Sequence, residues 1–258
     1  MTKNVRFDFP NYKVLVTGGT SGIGQAVATA FSQSDASVVI TGRNQERGSA
    51  LVETLAQRSG KAHFINGDIT SSEFCQSLVD QSVDLLGGLD TVVNCAGVIY
   101  HVDAEETTDQ IWHETMNVNV NGTFYVCRAA LKEMKSHGGT ILNIASDAGL
   151  SASNHLTAYN TSKGAVIQLS RSMAKDYGRY NIRVIPICPG DVDTPMLRGE
   201  FKQNGLDAET GLKASAESVP LNRVCSAEEV ADLVLYAASD SSRFMSGYPL
   251  VLDAANRA

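Results

Sequence analysis

Short apolar runs alternate with longer mixed stretches along the whole chain, and each run stops at glycine or a polar residue. Lys13-Val14-Leu15-Val16 is the first run; it ends in the glycine-rich turn at 17–24 and gives way to a helical pattern over 25–31. Residues 37–41 form a second β-rich run, closed by Gly42-Arg43-Asn44, and a helical stretch over 49–56 ends at Ser59-Gly60. A third run at 62–65 stops at Asn66-Gly67-Asp68, and Thr70-Ser71-Ser72-Glu73 has the spacing of a capping box for the next helix. Strands follow at 89–94, 140–146 and 182–187, with helices over 109–135 and 159–177 between them. Ser226-Ala227-Glu228-Glu229 is a second capping box, opening a helix to 238, and Pro249-Leu250-Val251-Leu252 can supply a last strand.

Strict strand–helix alternation with near-continuous apolar strands predicts a parallel sheet covered on both faces. Right-handed crossovers then give an α/β, doubly wound Rossmann-type fold, with ligands at the carboxyl ends of the strands. No repeat or linker interrupts the pattern, so a single domain is expected over 1–258. The exception is 195–222, polar and glycine-containing, which reads as a substrate flap or lid over that domain.

Composition narrows the picture. The net charge of −7 argues against a nucleic-acid surface, and no apolar run approaches membrane-spanning length. Residues 1–11 lack the apolar core of a signal peptide. The five cysteines are odd in number and widely spaced without C-x-x-C, so free thiols in a reducing cytosol are expected, with no metal site. The five histidines also lack metal-ligand spacing.

The polar strand ends are where chemistry is expected. Glycines in the first turn let the backbone approach a phosphate, and the following helix offers free N–H groups and a positive dipole end. Tyr159 and Lys163 lie four apart in a helix and share a face. Alone, such a pair is usually a surface pair, and a glycine turn is only conformational.

Together with the other motifs, however, they resemble the short-chain dehydrogenase/reductase family in its single-domain branch, from about 14 to 253. T-G-x-x-x-G-x-G matches Thr17, Gly18, Gly22 and Gly24; N-x-A-G matches Asn94, Ala96 and Gly97; V-N-x-x-G matches Val118 to Gly122. Y-x-x-x-K matches Tyr159 and Lys163, and P-G-x-x-x-T matches Pro189, Gly190 and Thr194, with the strand-three aspartate at Asp68 and the serine at Ser146. The resemblance implies an oxidoreductase that moves a hydride between a secondary alcohol or ketone and a nicotinamide cofactor. It implies Asn119, Ser146, Tyr159 and Lys163 as the catalytic set, with Asn119 holding a water that links Lys163 to solvent. The implied cofactor contacts are Thr17, Gly18, Thr20, Ser21, Gly22, Ile23, Gly24, Asp68, Ile69, Asn94, Ala96, Gly97, Tyr159, Lys163, Pro189, Gly190, Val192 and Thr194. It also implies a homodimer or homotetramer.

The chemistry is consistent with those assignments. A free tyrosine titrates near 10, so a base at neutral pH needs a shift of about 3 units, or about 4 kcal/mol. The Lys163 ammonium and an oxidised nicotinamide supply it by favouring the phenolate, while Ser146 hydrogen-bonds the substrate oxygen. The second strand ends in Arg43 with no acid before Glu46, which points to the 2′-phosphate of NADP(H) rather than NAD(H); otherwise Arg43 only extends into solvent.

Plainer readings stand beside these. Asn119 can be a mid-helix kink, Ser146 a strand-end turn residue and Asp68 a cap for the Thr70 turn. His155 is either a substrate-pocket or a loop residue, and Trp112 and Phe124 are core or interface. Cys95, Ile185-Pro186 and Asp253-Ala254-Ala255 depart from the family's usual residues, the last bearing on the geometry of the segment after the final strand. The substrate alternatives are a 3-oxoacyl thioester, a sugar, a polyol or a steroid, with Arg198, Lys202 and Lys213 in the flap available to an anion. An alternative of another class is a dinucleotide-sensing regulator without turnover.

Overall fold

A computed structural model describes residues 6–56 and 61–257. Seven strands, β1 (Lys13–Thr17), β2 (Ser37–Gly42), β3 (Ala62–Asn66), β4 (Thr91–Asn94), β5 (Gly139–Ile144), β6 (Ile182–Pro189) and β7 (Leu250–Leu252), form one parallel sheet in the order β3-β2-β1-β4-β5-β6-β7. The order reverses between β1 and β4, whose registers pair Leu15 with Val92 and Thr17 with Asn94. A doubly wound sheet leaves its ligand crevice at that point, beyond the strands' carboxyl ends.

Because successive strand residues face opposite sides, each apolar run feeds two cores. Val14, Val16, Val38, Ile40, Val93, Leu142 and Ile185 pack on one face with helices α1 (Gly22–Gln33), α2 (Gln45–Ala56) and α9 (Ala227–Ala238). Leu15, Val39, Val92, Ile141 and Val184 pack on the other with α3 (Ser72–Leu86), α5 (Thr123–Met134) and α6 (Thr157–Tyr177). Both faces being dry explains why the strands read as unbroken apolar runs.

Several boundaries differ from the sequence reading. The α3 cap is Ser71, whose Oγ accepts from Phe74 N at 3.1 Å, not Thr70; Glu73 therefore falls one place short of the reciprocal position and instead accepts from the Ser71 hydroxyl. The second box forms as expected, Ser226 and Glu229 each accepting from the other's backbone N–H. The single helix expected over 109–135 is α4 (Asp109–Met116), a π-helical stretch at Asn117–Gly122, and α5. The expected end of α2 at Ser59-Gly60 lies outside the described residues.

The 195–222 segment is largely helical rather than patternless loop: α7 (Pro195–Gln203) and α8 (Ala208–Glu217). Thr194 caps α7 ahead of Pro195, and Asp207 caps α8 through Glu209 N and Thr210 N. Trp112 and Phe124 are 37% and 36% exposed, so neither belongs to the core.

Candidate active site

The strand ends open into one cavity of about 500 Å³. At its floor the β1–α1 turn places Gly18 at φ +63° and Gly22 at φ +53°, the left-handed region that costs other L-residues energy. A Cβ at Gly24 would collide with the Gly18 carbonyl, so the third glycine lets helix and strand approach. Helix α1 has no acidic residue in its first turn, and its N-cap Ser21 accepts no side-chain hydrogen bond. The positive helix end therefore faces the cavity without a protein anion, a place suited to a phosphate. Farther along that wall Arg43 is exposed, and its guanidinium forms no hydrogen bond or ion pair among the described residues. Asp68 also lines the cavity, and its Oδ1 accepts from Thr70 N at 2.9 Å, so it organises the turn before α3 as well. These features fit the phosphates of a dinucleotide.

Thr17 and Asn94 lie behind this wall. Both are buried; Asn94 accepts from the Thr17 hydroxyl at 3.4 Å and donates to Asn143 Oδ1 at 2.8 Å, tying the ends of β1, β4 and β5 together. They shape the floor rather than line it. Thr20, Ser21, Ile23, Ile69, Ala96, Gly97, Pro189, Gly190, Val192 and Thr194 do line the cavity.

The other end gathers Ser146, Tyr159 and Lys163. Ser146 caps the 3₁₀ turn Asp147–Gly149; its hydroxyl donates to Asp147 Oδ1 at 3.1 Å and accepts from Ala148 N at 3.2 Å. The Lys163 Nζ donates to the Ile144 carbonyl at 2.8 Å and lies 5.5 Å from the Tyr159 ring centre. Burial pushes the Lys163 ammonium down to about 8. Burial also raises the Tyr159 phenol above its ordinary range; the neighbouring Ser146 hydroxyl opposes this, and the negative charge of Glu200 adds to it.

Asn119 is buried in the π-helical stretch outside the cavity lining. Its amide donates to the Val98 carbonyl at 2.9 Å and to Ser162 Oγ at 3.0 Å, while its Oδ1 accepts from Val98 N at 2.8 Å. A Cβ on Gly97 would sit 3.3 Å from Asn119 Oδ1 and 3.7 Å from Lys163 Nζ, so glycine keeps both near the cavity wall.

His155 is not in the wall; its Nδ1 pairs with Asp103 Oδ1 at 2.6 Å, and the neighbouring His101 lines the cavity instead. Sequence reasoning missed Asp147, Asp191, Glu200, Asn256 and Arg257, all cavity-lining. Burial, with the nearby Asp191, pushes the Glu200 carboxyl up to about 7. Glu200 was within reach of the caps Thr194 and Asp207, which signal the helices of the flap. The approach of Arg257 follows only from β7 lying parallel to β6, which delivers the next residues to the same sheet edge.

The crevice at the strand ends and the Ser–Tyr–Lys cluster beside it lie on a Rossmann-type sheet, the arrangement of an oxidoreductase fold. Comparison with known proteins agrees: the short chain dehydrogenase family model matches residues 12–205. An uncharacterised oxidoreductase of Thermotoga maritima is 36% identical, covering 97% of this chain and 99% of its own. A 3β-hydroxysteroid dehydrogenase of Mediterraneibacter gnavus is 35% identical, covering 91% and 90%. Among solved structures, a short chain dehydrogenase from Burkholderia cenocepacia in complex with NADP superposes with TM-score 0.89 at 28% identity, covering 97% of this chain and 99% of that one. The chain belongs to the short-chain dehydrogenase/reductase family. Among the described residues no helix is long and apolar enough to cross a membrane, and no group of three or more His, Cys, Asp or Glu is arranged to hold a metal.

Proposed function

We propose that this protein is an NADP(H)-dependent oxidoreductase that interconverts a neutral secondary alcohol and its ketone. One observation carries the reading: Ser146, Tyr159 and Lys163 share a single cavity with the uncapped start of α1. The nicotinamide, when bound, accepts or delivers the hydride. Ser146 hydrogen-bonds the substrate oxygen and stabilises the charge developing there. In alcohol oxidation Tyr159 takes the hydroxyl proton on its phenolate oxygen as hydride leaves the carbon; in ketone reduction it returns that proton. Lys163, close to the Tyr159 ring, favours the phenolate. Asn119 fixes the π-helical stretch against Val98 and α6, which holds Lys163 in place; a water at Asn119 then relays protons from Lys163.

The preference for NADP(H) over NAD(H) rests on Arg43, a guanidinium fork at the end of β2 without an ion-pair partner among the described residues, and is supported by the NADP held by the Burkholderia relative. Neutral substrates are favoured because Asp191, and Glu200 where it is ionised, place negative charge around Tyr159 with no cation paired to them among the described residues, which works against an anionic acyl thioester. The steroid activity named for the Mediterraneibacter relative supports a ring alcohol as one such substrate. Segment 195–222 serves as the lid on the substrate side of this one domain, and exposed Trp112 and Phe124 support a homo-oligomer. The five free cysteines suit a cytosolic enzyme.

The test is nicotinamide absorbance with a panel of neutral ketones and an acyl thioester, using NADPH and NADH separately. Turnover of ketones with NADPH preferred is the expected result; tight cofactor binding without any turnover would make the protein a dinucleotide sensor. Arg43→Ala is expected to weaken NADPH about 10- to 100-fold and leave NADH unchanged, from the loss of a charge-assisted contact of about 1.5–3 kcal/mol.

A further inference from the structure

The segment after β7 returns to the catalytic serine. Asp253 shapes it, accepting from Ala255 N and Arg257 N, both at 3.0 Å. Ala254 and Ala255 are held in the left-handed region at φ +54° and +64°, a conformation alanine keeps only where its surroundings over-determine it. The turn is seated on Gly190, whose N–H donates to the Leu252 carbonyl at 3.0 Å. From there Asn256 Nδ2 and Arg257 Nε donate to Asp147 Oδ2 at 3.1 and 3.2 Å. The same guanidinium donates to the Ala152 carbonyl at 3.2 Å and to Ser153 Oγ at 2.7 Å. The Asp147 side chain is 8% exposed and Arg257 24%, so this ion pair is largely shielded from water.

The two carboxylate oxygens of Asp147 thus have separate duties. Oδ2 is held by Asn256 and Arg257, and Oδ1 accepts the Ser146 hydroxyl. A buried carboxylate stripped of its cation would hold the serine proton more strongly and add uncompensated negative charge beside Tyr159. We propose that Arg257, assisted by Asn256, is a positioning residue: through Asp147 it sets the direction of the Ser146 hydroxyl, and through Ala152 and Ser153 it fixes the 150–154 wall of the substrate pocket. The proposal rests on the roles given above to Ser146 and Tyr159. The charged groups around Tyr159 are Lys163 on its own helix, Asp147 after β5, Asp191 after β6, Glu200 on α7 and Arg257 after β7. Of the acids, Asp147 is the one paired with a cation at this site among the described residues.

The test compares Arg257→Ala, Arg257→Lys, Asp147→Asn and the Arg257→Ala/Asp147→Asn double variant in the full-length protein saturated with cofactor. Arg257→Ala should lower kcat about 10- to 100-fold, the scale of a misplaced reacting group, and move the kcat/KM pH profile for alcohol oxidation upward. Arg257→Lys, which keeps the charge and loses the fork, should restore the pH profile and only part of kcat. In the Asp147→Asn background, Arg257→Ala should no longer shift the profile. A change confined to KM, with kcat and the pH profile unmoved, would overturn the proposal. Amide hydrogen exchange at 149–154 in the cofactor-free protein gives an independent readout. Faster exchange in Arg257→Ala supports the latch, and unchanged exchange refutes it, whether or not any carbonyl substrate is turned over.

Discussion

Lys163 occupies an unfavourable place for a cation, and replacing it should stabilise the protein while abolishing its chemistry. Its ammonium is buried and hydrogen-bonded only to the Ile144 carbonyl, with no carboxylate paired to it among the described residues. Burial takes it from an ordinary 10.5 down to about 8. At 1.36 kcal/mol for each pH unit, holding it charged at neutral pH costs about 3 kcal/mol. Lys163→Met keeps the stem and removes the charge. It also leaves the Ile144 carbonyl without this donor, a loss of about 1–2 kcal/mol. The net expectation is a gain of about 1–2 kcal/mol at pH 7, a rise in Tm of about 2–8 °C for a chain of this size.

The sign of the pH dependence follows from linkage. Between pH 8 and 10.5 the unfolded parent binds the proton that the folded parent has released, so parental stability rises across this window. The advantage of Lys163→Met should shrink as pH rises above 8 and be absent or reversed near 10. Thermal melting of the cofactor-free parent and variant, at equal protein concentration and from pH 6.5 to 10, measures it. A variant that melts lower at pH 7, or a difference that stays constant with pH, would refute the reasoning.

Three other outcomes follow from particular contacts. Glu200→Gln removes a negative charge facing Tyr159, so the apparent pKa of kcat/KM for alcohol oxidation should fall by on the order of one pH unit; below about pH 6, where Glu200 is already protonated, rates should match the parent. Gly24→Ala drives a methyl group into the Gly18 carbonyl, and NADPH titration should show binding lost, whereas Gly199→Ala, which meets nothing within 4 Å, should bind normally. Ser226→Ala removes the half of the α9 capping box in which the Ser226 hydroxyl oxygen accepts from Glu229 N, and should lower stability by about 1 kcal/mol in denaturant titration, without changing the KM for NADPH.

The sheet and the candidate catalytic cluster were legible in the sequence for one physical reason. Parallel strands dry on both faces leave unbroken apolar runs, and the residue ending each run marks the ligand edge. The pattern of runs alone therefore places Gly18, Arg43, Asp68, Ser146 and Gly190 at that edge, and helical spacing with family resemblance adds Tyr159 and Lys163. The helices of the flap were hidden because they start from local caps, Thr194-Pro195 and Asp207, and bury only narrow faces around Leu197, Phe201, Gly211 and Ser215. The π-helical stretch around Asn119 depends on contacts with Val98 and Ser162 that no periodicity encodes. Thr17 and Asn94 match the cofactor motif yet hold strands together, because buried side chains at strand ends also satisfy one another. Arg257 reaches Asp147 across 110 residues of chain, a contact set by where β7 leaves the sheet.

The central claim is that Tyr159 transfers the proton in a hydride-transfer reaction, and Tyr159→Phe tests it most directly. The substitution removes one oxygen and leaves the ring beside Lys163. NADPH oxidation with whichever ketone the parent reduces best should fall by at least about a hundredfold in kcat, while the Kd for NADPH measured by fluorescence titration stays within about twofold of the parent. Turnover retained near the parental rate, with NADPH bound equally well, would contradict the account.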